Sequence, residues 1–112
     1  MTLLQSAVVA LSILALHEVG HVVACDVVGL KVSRVGVNWI GIYIVHESGN
    51  PTQNILVAFA GPLANLLVAG FFMGIAPLFA LMNLACGLIN LLPIKHSDGS
   101  SIIREIRRGQ RS

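Results

Sequence analysis

Charge is scarce in this chain. Only 11% of its 112 residues are Asp, Glu, Lys or Arg, against about 25% in an ordinary soluble domain. Residues 48–94 contain no Asp, Glu, Lys, Arg or His, and neither do residues 1–16. A soluble fold of this size leaves much of its surface in water and has no place for such runs, whereas a lipid bilayer has. The same shortage excludes an intrinsically disordered chain and a nucleic-acid-binding arm, both of which need charge. With only two cysteines, Cys25 and Cys86, there is no disulfide framework. Both fall in apolar segments and read as reduced fillers. A secretory signal peptide fits poorly, because no Lys or Arg precedes the first apolar run and the run is too long. No repeat or low-complexity tract is evident.

What is present is apolar: 55% of the chain is hydrophobic. A helix from about 3 to 28 reaches about 38 Å, enough to cross a hydrocarbon core of about 30 Å with tilt. Residues 48–94 hold two further spans, near 53–73 and 77–93, separated at Gly74 and Pro77. With three crossings, residues 31–50 and the C-terminal tail share one side. All 7 basic residues lie there (Lys31, Arg34, Lys95, Arg104, Arg107, Arg108, Arg111). The positive-inside rule places that side in the cytoplasm and the N-terminus outside. Between the first two spans, Val35, Val37 and Trp39 alternate with Arg34, Gly36 and Asn38. Ile42, Tyr43, Ile44 and Val45 follow, predicting a short β-hairpin, with Trp39 and Tyr43 suited to the membrane interface. Beyond Asp98, Ile102, Ile103 and Ile106 share one face of a short basic interfacial helix that Gly109 should end. Gly70 and Gly74 form a G-x-x-x-G, read as close packing within the core. The expected fold is thus an all-α membrane protein: about three transmembrane helices, a small β-hairpin after the first, and a C-terminal interfacial helix. Residues 1–112 form one domain.

The ionisable residues that interrupt the first span are His17, Glu18, His21 and Asp26, the first three forming an H-E-x-x-H. Two histidines four apart lie about 40° apart around a helix, so both imidazoles can reach one metal ion while the glutamate addresses water beside it. A charged residue at the centre of a span costs about 2.5 to 3.5 kcal/mol, so a compensating function or partner is expected. Hydrogen bonding to neighbouring helices is the plainer alternative. Zinc suits imidazole and carboxylate ligands, and a catalytic zinc takes three protein ligands and leaves one position open. Asp98 is the candidate third ligand: it follows Asn90-Leu91-Leu92-Pro93, where the proline should free the backbone to fold back. His96 competes chemically. Asp26 lies on the same helical face as His17 but about 13 Å along the axis, too far to share the ion.

Together the motifs resemble the site-2 protease family of intramembrane zinc metalloproteases. His17-Glu18-Val19-Gly20-His21 matches the family's H-E-x-G-H, and Gly61-Pro62-Leu63-Ala64-Asn65 looks like its G-P-x-x-N. Asn90-Leu91-Leu92-Pro93 through Asp98-Gly99 is similar to its N-x-x-P followed by D-G. The resemblance implies that His17, His21 and Asp98 hold Zn2+, that Glu18 is the catalytic acid/base, and that Asn65 orients substrate or stabilises the reacting carbonyl. It also implies a three-helix core with a small sheet against which an extended substrate aligns. The substrate would be a transmembrane or membrane-proximal peptide, and the surroundings the lipid bilayer. Lys95, His96 and Ser97 depart from the apolar or proline-rich residues common in the family before D-G. They leave a catalytically silent metal-binding membrane protein of the same fold as the alternative.

Overall fold

The computed structural model describes residues 2–38 and 41–111. Helix α1 (Leu3–Val28) is followed by strands β1 (Val32–Asn38) and β2 (Gly41–His46). Three helices complete the chain: α2 (Pro51–Phe72), α3 (Pro77–Leu91) and α4 (Asp98–Arg111). Trp39, expected at the membrane interface, lies outside the described residues.

The helix boundaries follow local chemistry. Thr2 caps α1 and Asn50 caps α2, each paired with a glutamine three residues on, Gln5 and Gln53, in a reciprocal capping box. These side chains satisfy amide protons that the first helical turn leaves without partners. Gly29 ends α1 in the left-handed conformation that glycine adopts at little cost. Pro51 and Pro77 open α2 and α3, where a missing N–H matters least. Pro62 lies inside α2, and the helix runs through it.

β1 and β2 form a two-stranded antiparallel hairpin pairing Val35 with Ile44 and Gly36 with Tyr43, with an irregularity between Val32 and Arg34. One edge of β2 is therefore taken by β1, and β2 also packs against α1.

Two sequence expectations need correction. Gly70 and Gly74 do not mediate packing within the core, since a methyl group added at either meets nothing within 4 Å. The close approaches occur at Gly20, whose added Cβ would meet Ala60 O of α2 at 2.5 Å, and at Gly87, 3.0 Å from Pro62 O. Gly109 does not end α4, which continues to Arg111; glycine weakens a helix without forbidding its hydrogen bonds.

α1 and α2 are each long and apolar enough to cross a membrane, whereas α3 has 15 residues and falls short of that length. Polar side chains are buried alongside apolar ones such as Ile13, Cys25 and Val57, and many large apolar side chains lie on the outside. His17, Asn65, Asn83 and Ser97 are buried, while Leu4, Val8, Leu11, Val19, Val23 and Val27 of α1 are exposed.

Candidate metal centre

Helical periodicity puts His17 and His21 side by side on the face of α1 that meets α2. The His21 Nδ1–H donates to the Val57 carbonyl at 2.6 Å. This reach depends on Gly61, one turn further along α2. A Cβ there would overlap the His21 imidazole and lie 2.9 Å from His17 Nε2. The His17 Nδ1–H donates to Asn65 Oδ1 at 2.9 Å. Both rings thus keep a proton on Nδ1 and present the lone pair of Nε2, and these two nitrogens are 3.0 Å apart.

The third donor arrives from the far end of the chain. α3 stops at Leu91, and the turn after it carries Asp98 back to the histidines. Within the turn Ser97 N donates to Ile94 O at 3.1 Å, and His96 adopts φ 65°, a left-handed conformation uncommon outside glycine. Ser97 is buried. Its hydroxyl lies 2.6 Å from Leu92 O and 2.7 Å from Ile94 O and accepts from Ser100 N at 3.1 Å, which makes it the N-cap of α4. Gly99 packs against the Leu91 and Leu92 carbonyls with no room for a side chain. The polar residues before Asp98 are therefore parts of the turn: Ser97 holds it and His96 lines the cleft.

Asp98 Oδ2 stands 2.8 Å from His17 Nε2 and 3.4 Å from His21 Nε2. It is buried without a hydrogen-bond partner, because the nearest nitrogens carry their protons on the opposite side of their rings. Three lone-pair atoms converging in a buried place repel one another unless a cation lies among them. Tetrahedral zinc, with bonds near 2.0 to 2.2 Å, holds its ligand atoms about 3.3 Å apart, so the donor set fits that ion in both chemistry and spacing. Among the described residues, His17, His21 and Asp98 are the group that can meet at one ion; neither His96 nor Asp26 joins it.

These donors lie in the wall of a cleft of about 550 Å³, which Glu18, Tyr43 and Asn90 also line. Glu18 is half-buried there. The cleft runs along β2, taking in residues 41–44 and His46. Asn65 does not line it. Its side chain is fully buried behind His17, where Oδ1 accepts from His17 and from Cys86 Sγ at 3.6 Å. Its Nδ2 donates to Ile13 O at 3.2 Å and to Asn83 Oδ1 at 3.0 Å. All four hydrogen-bonding positions of this amide are taken by protein. Asn83 went unread in the sequence, and its one signal there was a polar amide in an otherwise apolar segment.

No family model matches the chain. It is similar to two curated proteins over most of its length. One is "Putative zinc metalloprotease sll0528" of a Synechocystis species, 29% identical over 108 residues that cover 80% of this chain and 28% of that protein. The other is "Putative zinc metalloprotease Rip3" of Mycobacterium tuberculosis, 30% identical over 120 residues that cover 88% of this chain and 30% of that protein. The chain thus spans less than a third of the length of these relatives. Their names agree with the resemblance carried by the three motifs.

Proposed function

We propose that this chain is the membrane-embedded catalytic core of a zinc metalloprotease of the site-2 type, hydrolysing peptide bonds within or near transmembrane segments. One observation carries the reading: His17, His21 and Asp98 turn three lone pairs toward one point beside Glu18, at the head of a cleft bordered by a strand edge.

His17, His21 and Asp98 would hold zinc. When bound there, zinc lowers the pKa of a water molecule to about 7 and polarises the scissile carbonyl. The chain supplies the rest. Glu18 takes the proton of the attacking water on its carboxylate and passes it to the leaving amine. The edge of β2 not paired with β1, along the cleft, offers main-chain N–H and C=O groups to an extended peptide, replacing hydrogen bonds that the substrate loses when its helix unwinds. Asn65 acts from behind His17 by holding the ring, a positioning role and not contact with substrate. The cleft's polar residues admit the water that hydrolysis consumes.

The exposed apolar side chains of α1 and α2 support a membrane protein, and the placing of all seven basic residues in 31–50 and the tail supports a multi-pass arrangement with the N-terminus outside and the C-terminus in the cytoplasm. α1 and α2 form two of the three crossings. At about 1.5 Å per residue α3 extends only about 22 Å, and it completes its crossing with the turn that returns Asp98.

The test is metal analysis of the detergent-solubilised protein, paired with cleavage of a transmembrane reporter peptide. The expected result is one zinc per chain and cleavage. Glu18→Gln should lower the rate by about 10²- to 10⁴-fold while the zinc content stays unchanged. Zinc without cleavage by the parent chain would favour the silent alternative. A chain that binds no zinc would overturn the metal centre.

A further inference from the structure

Behind the His17 ring, away from the cleft, a chain of buried amides crosses α3, α2 and α1. It begins at the Phe79 carbonyl, one turn before Asn83 on α3, which accepts from Asn83 Nδ2 at 3.0 Å. A main-chain carbonyl can only accept, so the Asn83 nitrogen must face it and Oδ1 must face α2. There Oδ1 accepts one proton of Asn65 Nδ2, and the Ile13 carbonyl accepts the other. With its nitrogen held on that side, Asn65 can present only Oδ1 to His17. Asn83 and Asn65 are both wholly buried. An asparagine buried in an apolar helix is costly unless its hydrogen bonds are made, and Asn83 lies in none of the three motifs.

We propose that Asn83 is a positioning residue of the metal centre, locking the Asn65 amide so that His17 keeps its proton on Nδ1 and offers Nε2 to the ion. The proposal rests on the metal-centre reading above. A flipped Asn65 would turn Nδ2 toward His17 Nδ1. Two donors cannot pair, so the His17 proton would move to Nε2 and occupy the lone pair that the ion needs. The Ile13 carbonyl opposes this flip, but at 3.2 Å it is the longer of the two restraints. Each long helix thus contributes one side chain to setting a single ring: Asn83 from α3, Asn65 from α2 and His17 itself from α1.

The experiment measures zinc affinity by chelator competition on the full chain in detergent, together with the visible absorption of the cobalt-substituted protein, which reports ligand geometry. Parent, Asn83→Ala, Asn83→Leu and Asn83→Asp are compared. Loss of an outer partner of a metal-bound histidine typically weakens binding about 10- to 100-fold; Asn83 acts through that partner, Asn65, so a weakening up to that size, with an altered cobalt spectrum, is expected for Ala and Leu. Asp restores the acceptor toward Asn65 and, protonated in its buried site, the donor toward Phe79 O, so it should recover most of the affinity and the parent spectrum. Ala is small enough to be tolerated should Leu not fold. Ala or Leu variants that are less stable yet bind zinc as tightly as the parent, with its cobalt spectrum, would reduce Asn83 to a packing residue. An Asp variant as weak as Ala would also sink the proposal. A parent chain that binds no zinc fails at the metal centre itself, an outcome separate from either.

Discussion

At the scale of single residues, the centre depends on a side chain that is missing. Gly61 lets the His21 imidazole lie flat on α2 and reach the Val57 carbonyl. Gly61→Ala should push that ring off its carbonyl. Overpacking of this kind costs about 1 to 3 kcal/mol, so urea unfolding in detergent should show a loss of that order and chelator competition a weaker zinc site. An unchanged affinity would separate Gly61 from the centre. The H-E-x-x-H spacing made both histidines and Glu18 legible, because helical periodicity alone brings positions 17 and 21 together. The partners that hold the rings were not legible in the same way. Asn65 could be marked through its motif, but whether its amide faced the substrate or a histidine depended on the packing of α1 against α2. Asn83 depended on the packing of α3 as well.

At the scale of elements, the decisive piece is the turn between α3 and α4. Read as a span ending near residue 93, the third helix left Asp98 beyond the membrane end of the bundle and dependent on re-entry near Pro93. The structure brings Asp98 to the histidines by stopping α3 at Leu91 and starting α4 at Asp98 itself. Ser97 joins the two, its hydroxyl reaching the Leu92 carbonyl just past the helix that ends and capping the helix that begins. Ser97→Ala should therefore destabilise the fold by about 1 kcal/mol, the usual loss on removing an N-cap, and weaken zinc binding by loosening the neighbouring ligand. Denaturant titration with and without zinc measures both. A loss equal in the two states would show that the cap stabilises the helix alone. The hairpin was readable from its alternation and β-branched residues. Gly109 misled because a glycine stops a helix only when nothing beyond it favours continuation.

At the scale of the whole molecule, the long uncharged stretch was read as two membrane spans; the structure has there one helix long and apolar enough to cross, α2, and a shorter apolar one, α3. Amides and an imidazole are buried among the apolar side chains they enclose. The donor set joins α1 to the start of α4, so an ion held there ties residue 17 to residue 98 across the fold. Ligands that bind only the folded state stabilise it by mass action, by about 2.7 kcal/mol at a hundredfold excess over Kd. Chelation should lower the thermal midpoint in detergent, and zinc, unlike magnesium, should restore it. A midpoint indifferent to chelator would remove the ion from the fold's support.

This division of the ligands also has a consequence in time. As the chain is synthesised, His17 and His21 emerge early in a helix that can hold an ion by only two nitrogens. The carboxylate that completes the set is made more than seventy residues later. The proposed centre therefore cannot close until α1, α2 and α3 and the start of α4 exist, so the hydrolysis proposed for it is withheld until synthesis has passed Asp98.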